Sequence, residues 1–316
     1  ETPFDKLYHV YKKIVNSTYL PNRVQPGFVQ EFDNLTPNNL LSQELMLFAA
    51  KQMETDRLYY VLRSFLNTDD QDEQYLLQTD LEGDLIPNFQ IKKIYRRLFQ
   101  EKVNFSVNFV KSKHCLDYFS FLSQLFVGLG YNGWVLLFDE TELIGRLGRK
   151  TRLKAYAHMH EFLFPKKQMN RMYSLFAISS SYAEDVIEGK HEYEHLHELY
   201  DEESARPIHV TLDTIMKADQ LPPLDRAEVE HILAHLISLH GKAYGWEPPV
   251  EHEDVIRVAS AAGHLLRTKI RSAIEYLDQV YQYGDAGESL VKDISEGSLV
   301  ESAEQEFSFD DLPESL

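Results

Sequence analysis

The chain contains one cysteine, Cys115, so no internal disulfide framework can hold it together, and this fits a reducing cytoplasm. No apolar run approaches the ~20 residues that a membrane-spanning helix needs, and no charged-then-apolar leader opens the sequence. A membrane partner is therefore not expected. Positive charge is scarce: 32 Lys and Arg stand against 50 Asp and Glu, a formal charge of −18. An acidic body argues against indiscriminate binding to nucleic acid. Half of that charge lies in the tail, where residues 284–316 hold ten acids and one base. The tail is also rich in Ser and poor in apolar residues, a composition that predicts disorder.

Against this background, residues 133–144 stand out: Gly-Trp-Val-Leu-Leu-Phe-Asp-Glu-Thr-Glu-Leu-Ile. Five apolar residues, Trp134 to Phe138, run directly into Asp139 and Glu140. A continuous apolar run of this length predicts a strand buried on both faces. Open α/β sheets place their ligand chemistry at the carboxyl ends of such strands. The pattern is that of a Walker B strand, in which the Asp holds Mg²⁺ through water and the Glu orients or deprotonates an attacking water.

That motif calls for a glycine-rich phosphate loop, Gly-x-x-x-x-Gly-Lys-Ser/Thr. None of the 14 glycines begins one. The nearest approach, Gly145-Arg-Leu-Gly148-Arg-Lys150-Thr151, has the wrong spacing and follows the acidic strand end instead of preceding it. It reads as a basic loop, since residues 146–154 hold five bases and no acid. The chain opens at Glu1 without Met. Phe4, Leu7, Tyr8, Tyr11, Ile14 and Val15 already form one apolar helical face. The expectation is that a first strand and phosphate loop were cut away. The alternative is a degenerate domain that never had them.

Periodicity predicts helices over 4–18, 38–67, 73–80, 88–100, 113–128 and 151–164. Arg171 to Ser181 reads as a second strand ending in three hydroxyls, and Pro207 to Leu212 as a short third. From Leu224 onward the pattern is helical, after a joint at 219–223, Asp-Gln-Leu-Pro-Pro. Strands separated by helices imply an α/β fold with a parallel sheet. The expected organisation is an α/β core over 1–217 with a helical insertion at about 30–128, a helical domain over 218–283, and the acidic tail from 284.

With these residues in view, the chain resembles an AAA+-type P-loop ATPase from its second sheet element onward. The resemblance covers roughly residues 1–283. It rests on Leu136-Leu137-Phe138-Asp139-Glu140, on Ser179-Ser180-Ser181, and on Gly263-His-Leu-Leu-Arg267-Thr-Lys-Ile-Arg271. More narrowly, the 133–144 segment followed by an Arg-rich loop, with the opening Pro3-Phe4…Leu7…Val10-Tyr11, is similar to the ATP-binding proteins of BREX-type bacterial phage-defence systems. The resemblance implies ATP and Mg²⁺ as cofactors, and hydrolysis coupled to conformational change. It implies a helical lid over 218–283 and a sensor of the γ-phosphate at Ser179 or Ser180. It also implies a second sensor at Arg267 that reaches back to the nucleotide. Other defence-system proteins, a further copy of the chain, or DNA at the basic loop would be the partners.

Each assignment has a plainer counterpart. Ser179 to Ser181 also suit the N-cap of a helix near Tyr182. Arg267 and Arg271 also suit a solvated face with Glu275. Arg146 and Arg149 are candidates for an arginine finger or a phosphate contact, and equally for a solvated loop. The whole could serve as a non-hydrolysing scaffold built on a degenerate ATPase fold. A remote alternative is a zinc hydrolase. His191-Glu192-Tyr-Glu-His195 matches His-Glu-x-x-His, with His197 and Glu198 as further ligands.

Overall fold

The computed structural model describes residues 4–21, 24–27, 29–169, 171–286 and 291. The acidic tail lies almost entirely outside these, and so does its predicted disorder. The chain divides into two compact units, Glu1–Ala218 and Asp219–Leu316.

The first unit is mostly helical. Helix α1 (Leu7–Ser17) precedes α2 (Leu40–Lys51), α3 (Arg57–Asn67), α4 (Gln71–Leu81), α5 (Asn88–Phe99), α6 (Lys111–His114) and α7 (Leu116–Gly128). Strand β1 (Trp134–Phe138) follows, then α8 (Arg149–Leu163), β2 (Met172–Phe176), α9 (Glu192–Leu199) and α10 (Glu202–Met216). The strands pair in parallel, with Trp134 opposite Met172 and Phe138 opposite Phe176. This α/β arrangement forms a small sheet within a helical chain.

The amphipathic spacing sets which faces are buried. Leu7, Val10, Tyr11 and Val15 bury one face of α1. The largest polar groups buried among the insertion helices are paired. Arg57, on α3, donates to Asp80 of α4 and to the Ile86 carbonyl, and the Tyr118 hydroxyl of α7 donates to Asp80 at 2.6 Å. Cys115 is buried, and its thiol pKa is raised by desolvation.

Two expectations are corrected. Residues 207–212 are not a strand, because they lie inside α10 with Pro207 in its interior. The alternation of Ile208, Val210 and Leu212 imitates a strand. The side chains that are buried are Ala205, Ile208, Thr211, Leu212 and Ile215, which have helical spacing. Strand β1 is not buried on both faces either. Trp134 and Leu136 face the core, whereas Val135 is 60% and Leu137 74% exposed. Tyr173 and Leu175 of β2 are exposed as well.

The second unit contains α11 (Arg226–Tyr244), α12 (His252–Ala262) and α13 (Leu266–Tyr283). Leu233, Ile237, Val255, Ala259, Ala273 and Leu277 form its own core. Asp225 and Glu228 close a capping box at the start of α11. Buried His240 is held from both sides. The Trp246 indole donates to its Nδ1 at 3.1 Å, so its Nε2–H donates to Asp278 at 3.0 Å. Among the described residues no helix is long and apolar enough to cross a membrane.

Candidate functional site

The acid pair leaves the sheet from an aromatic platform. Phe138 stacks on Phe176 at 4.5 Å between ring centroids, and both contact Phe4, whose ring also meets Phe162 of α8. Such contacts contribute about 0.5–1.5 kcal/mol each beyond area burial, which fixes the last strand residue before the carboxylates.

Beyond Phe138 the backbone is clamped by one residue. The Ala177 N–H donates to the Phe138 carbonyl at 2.8 Å, and the Ala177 carbonyl accepts from the Thr141 N–H at 3.1 Å. Asp139 and Glu140 are the two residues bridged by this clamp. Asp139 Oδ1 accepts from the Glu140 N–H at 2.9 Å. Glu140 is left-handed, with φ 54° and ψ 37°. For a non-glycine residue this conformation costs on the order of 1 kcal/mol and is held by its surroundings. Both acids are exposed, and among the described residues neither is in an ion pair. They are available to a ligand.

Both acids line a groove of about 810 Å³ along the outer edge of β1. Lys13 of α1, Trp134 and Arg146 line it as well. Arg146 is exposed at the end of a 3-10 turn (Thr141–Arg146) that follows the acids directly. The structure therefore brings Asp139, Glu140 and Arg146 together. Lys13 is an addition that no sequence pattern singles out, because it sits on a helix read only for its apolar face.

The other candidates are not among the residues that line this groove. Arg149 is in the first turn of α8, not in a loop, and pairs with Glu198 at 3.7 Å. Of the five bases read as a loop, only Arg146 precedes α8; Arg152 within that helix is buried. Strand β2 stops at Phe176, so Ser179 and Ser180 lie beyond it. The Ser179 carbonyl accepts from the Tyr182 N–H, which starts the turn into a π-helix (Ala183–Glu188). Neither Ser lines the groove. Arg267 is exposed near the start of α13, in the other unit.

The His-Glu-x-x-His motif does not form a zinc site. His191 is not helical, with φ 52°, and precedes α9. Glu192 is fully buried, and its Oε1 accepts from Arg152 Nε at 2.6 Å, so it cannot activate water. His195 pairs with Glu198. Among the described residues no group of three or more His, Cys, Asp or Glu could hold a metal ion. That finding bears on zinc. Magnesium takes only one or two protein carboxylates and fills its shell with water and phosphate oxygens, and an exposed Asp139 fits that requirement.

The Arg152–Glu192 pair was missed from sequence. Its members are 40 residues apart and no motif links them.

A protein-family model described as BREX system ATP-binding protein BrxC/D matches residues 41–292. No curated protein and no solved structure matches the chain.

Proposed function

This chain belongs to the BREX system ATP-binding protein family, BrxC/D, and from that premise we propose that the intact protein hydrolyses ATP and couples hydrolysis to conformational change in a phage-defence system, whereas this chain alone is inactive. The observation that carries the proposal is the exposed pair Asp139–Glu140, clamped at the end of a parallel strand and sharing a groove with Arg146. Asp139 would hold Mg²⁺ through water, and the ion would supply positive charge against the phosphate oxygens. Glu140 is fixed by its left-handed backbone and orients the attacking water. Arg146 offers a planar cation to phosphate oxygens next to both acids. Ser179 or Ser180 and Arg267 report the γ-phosphate. The helical region over 218–283 acts as the lid. The protein works in the cytoplasm with other proteins of the system and as an oligomer. Arg149 and Lys150, exposed on the first turn of α8, are the contact for DNA phosphate.

The test is MgATP turnover by the longest native form of the protein, wild type beside Glu140→Gln. Turnover lost in the variant with ATP still bound supports the reading. Wild type that neither binds nor hydrolyses ATP leaves a scaffold with a degenerate ATPase fold.

A further inference from the structure

Behind the acid pair, four side chains from three elements carry one donor and one acceptor too many. Arg152 and Tyr156 lie on α8, Tyr182 opens the π-helix that follows Ser179–Ser181, and Glu192 begins α9. The Arg152 guanidinium spends Nε and Nη2 on a single oxygen, Glu192 Oε1, at 2.6 and 2.5 Å. Its Nη1 donates to the Leu147 carbonyl at 2.7 Å. Leu147 directly follows Arg146, so Arg152 ties down the end of the turn that presents Arg146 to the groove. The second carboxylate oxygen, Oε2, is buried and has no hydrogen-bond partner.

The two tyrosine hydroxyls bond each other at 2.7 Å. Only one can donate in that bond, so the other keeps a proton for which no acceptor is found among the described residues. Glu192 acts electrostatically on both tyrosines, and burial raises all three pKa values. A spare proton and a spare oxygen thus share one buried cluster. A buried orphan acceptor is destabilising, because it has lost its water without gaining a donor. A carboxylate turns easily, because its terminal torsion is broad. The orphan oxygen is an acceptor and the spare tyrosine hydroxyl a donor, so each is the kind of partner the other lacks.

The same elements also touch through packing. A Cβ on Gly145 would meet Val186 Cγ2 at 2.8 Å and Tyr182 Cε2 at 3.3 Å. The residue before Arg146 therefore lies against the π-helix, and π-helical turns are frequent at functional sites.

We infer that Arg152, Tyr156, Tyr182 and Glu192 form a two-position relay. It links the Ser179–Ser181 segment to the turn carrying Arg146, and Glu192 is a positioning residue that sets where Arg146 stands. In one position Arg152 holds Leu147 and Arg146 faces the acids. In the other, a tyrosine hydroxyl takes Glu192, and the 141–147 turn is released. The role in turnover rests on the ATPase reading, whereas the mechanical link does not.

The experiment has two arms. The first follows amide hydrogen exchange of residues 141–148 in wild type, Glu192→Gln and Tyr182→Phe. The second measures MgATP turnover by the longest native form of the protein, for wild type, Glu192→Gln, Arg146→Ala and the double variant. Exchange over 141–148 is expected to rise at least about threefold in Glu192→Gln, which weakens the hold on Arg152, and to fall at least about twofold in Tyr182→Phe, which removes a hydroxyl that the released position uses; kcat is expected to fall about tenfold in Glu192→Gln at unchanged KM. In the Arg146→Ala background, Glu192→Gln is expected to add less than about twofold, because Glu192 acts through Arg146. Unchanged exchange in a relay variant that melts like wild type overturns the inference, and so does a Glu192→Gln loss that persists in full without Arg146. Should Glu192→Gln not fold, Tyr182→Phe, which removes only a hydroxyl, decides the first arm. Wild type without turnover removes the ATPase reading and leaves the exchange arm to judge the relay.

Discussion

At the scale of single residues, the acid pair combines exposure with backbone strain. Glu140 holds a left-handed conformation that glycine adopts freely. Glu140→Gly is therefore expected to stabilise the fold by about 0.5–1 kcal/mol in urea denaturation, while turnover falls at least ~100-fold. A gain in stability with activity retained would detach the strain from the chemistry. His158 gives a pH prediction. Its ring Nδ1 lies 3.0 Å from the Phe4 carbonyl, and burial lowers its pKa from the usual 6.5. The unfolded chain takes up the proton first, so this site loses stability as pH falls below 6.5. The stability of wild type relative to His158→Gln is expected to decline between pH 7 and pH 5, measured by denaturant midpoints. A flat difference would mean that His158 does not titrate differently on folding.

At the scale of elements, α10 contains Pro207 at an interior position, where it can donate no backbone hydrogen bond. Pro207→Ala is expected to stabilise the protein by about 1–3 kcal/mol, read from the urea midpoint. This helix also shows why some of the fold was illegible in the sequence. Proline followed by Ile208, Val210 and Leu212 has strand period, and only the contact of α10 with α8 reveals that Ala205, Ile208, Leu212 and Ile215 are the face that matters. Most other helices, including α1, α4, α5 and α8, were legible within a few residues, because their apolar faces follow one unbroken period. Strand β1 was legible as a strand ending in two acids. Its burial was misread, since Val135 and Leu137 are apolar yet face away from the core. In the candidate site, Asp139 and Glu140 were legible because they interrupt an apolar run. The Ala177 clamp was not, since any residue's backbone can make it. At α11 the capping box gives a further expectation. Asp225→Ala removes the acceptor for the Glu228 N–H and costs about 1 kcal/mol of stability in the second unit.

At the scale of the whole molecule, the joint between the two units is a chain of exposed residues from 219 to 225 without regular structure. Such segments concentrate proteolytic nicking. Limited trypsin treatment is expected to cut first after Lys217 or Arg226, which flank it, and to release two fragments before either core is digested. First cuts within α2–α7 would contradict the division. The two tryptophans are also distributed one to each unit. Trp134 packs against Phe119 and Phe126, and Trp246 bonds His240. The fluorescence of a Trp134→Phe protein thus comes from the second unit alone. Its emission, followed beside backbone circular dichroism through one titration with denaturant, reports whether the second unit melts with the first or independently of it.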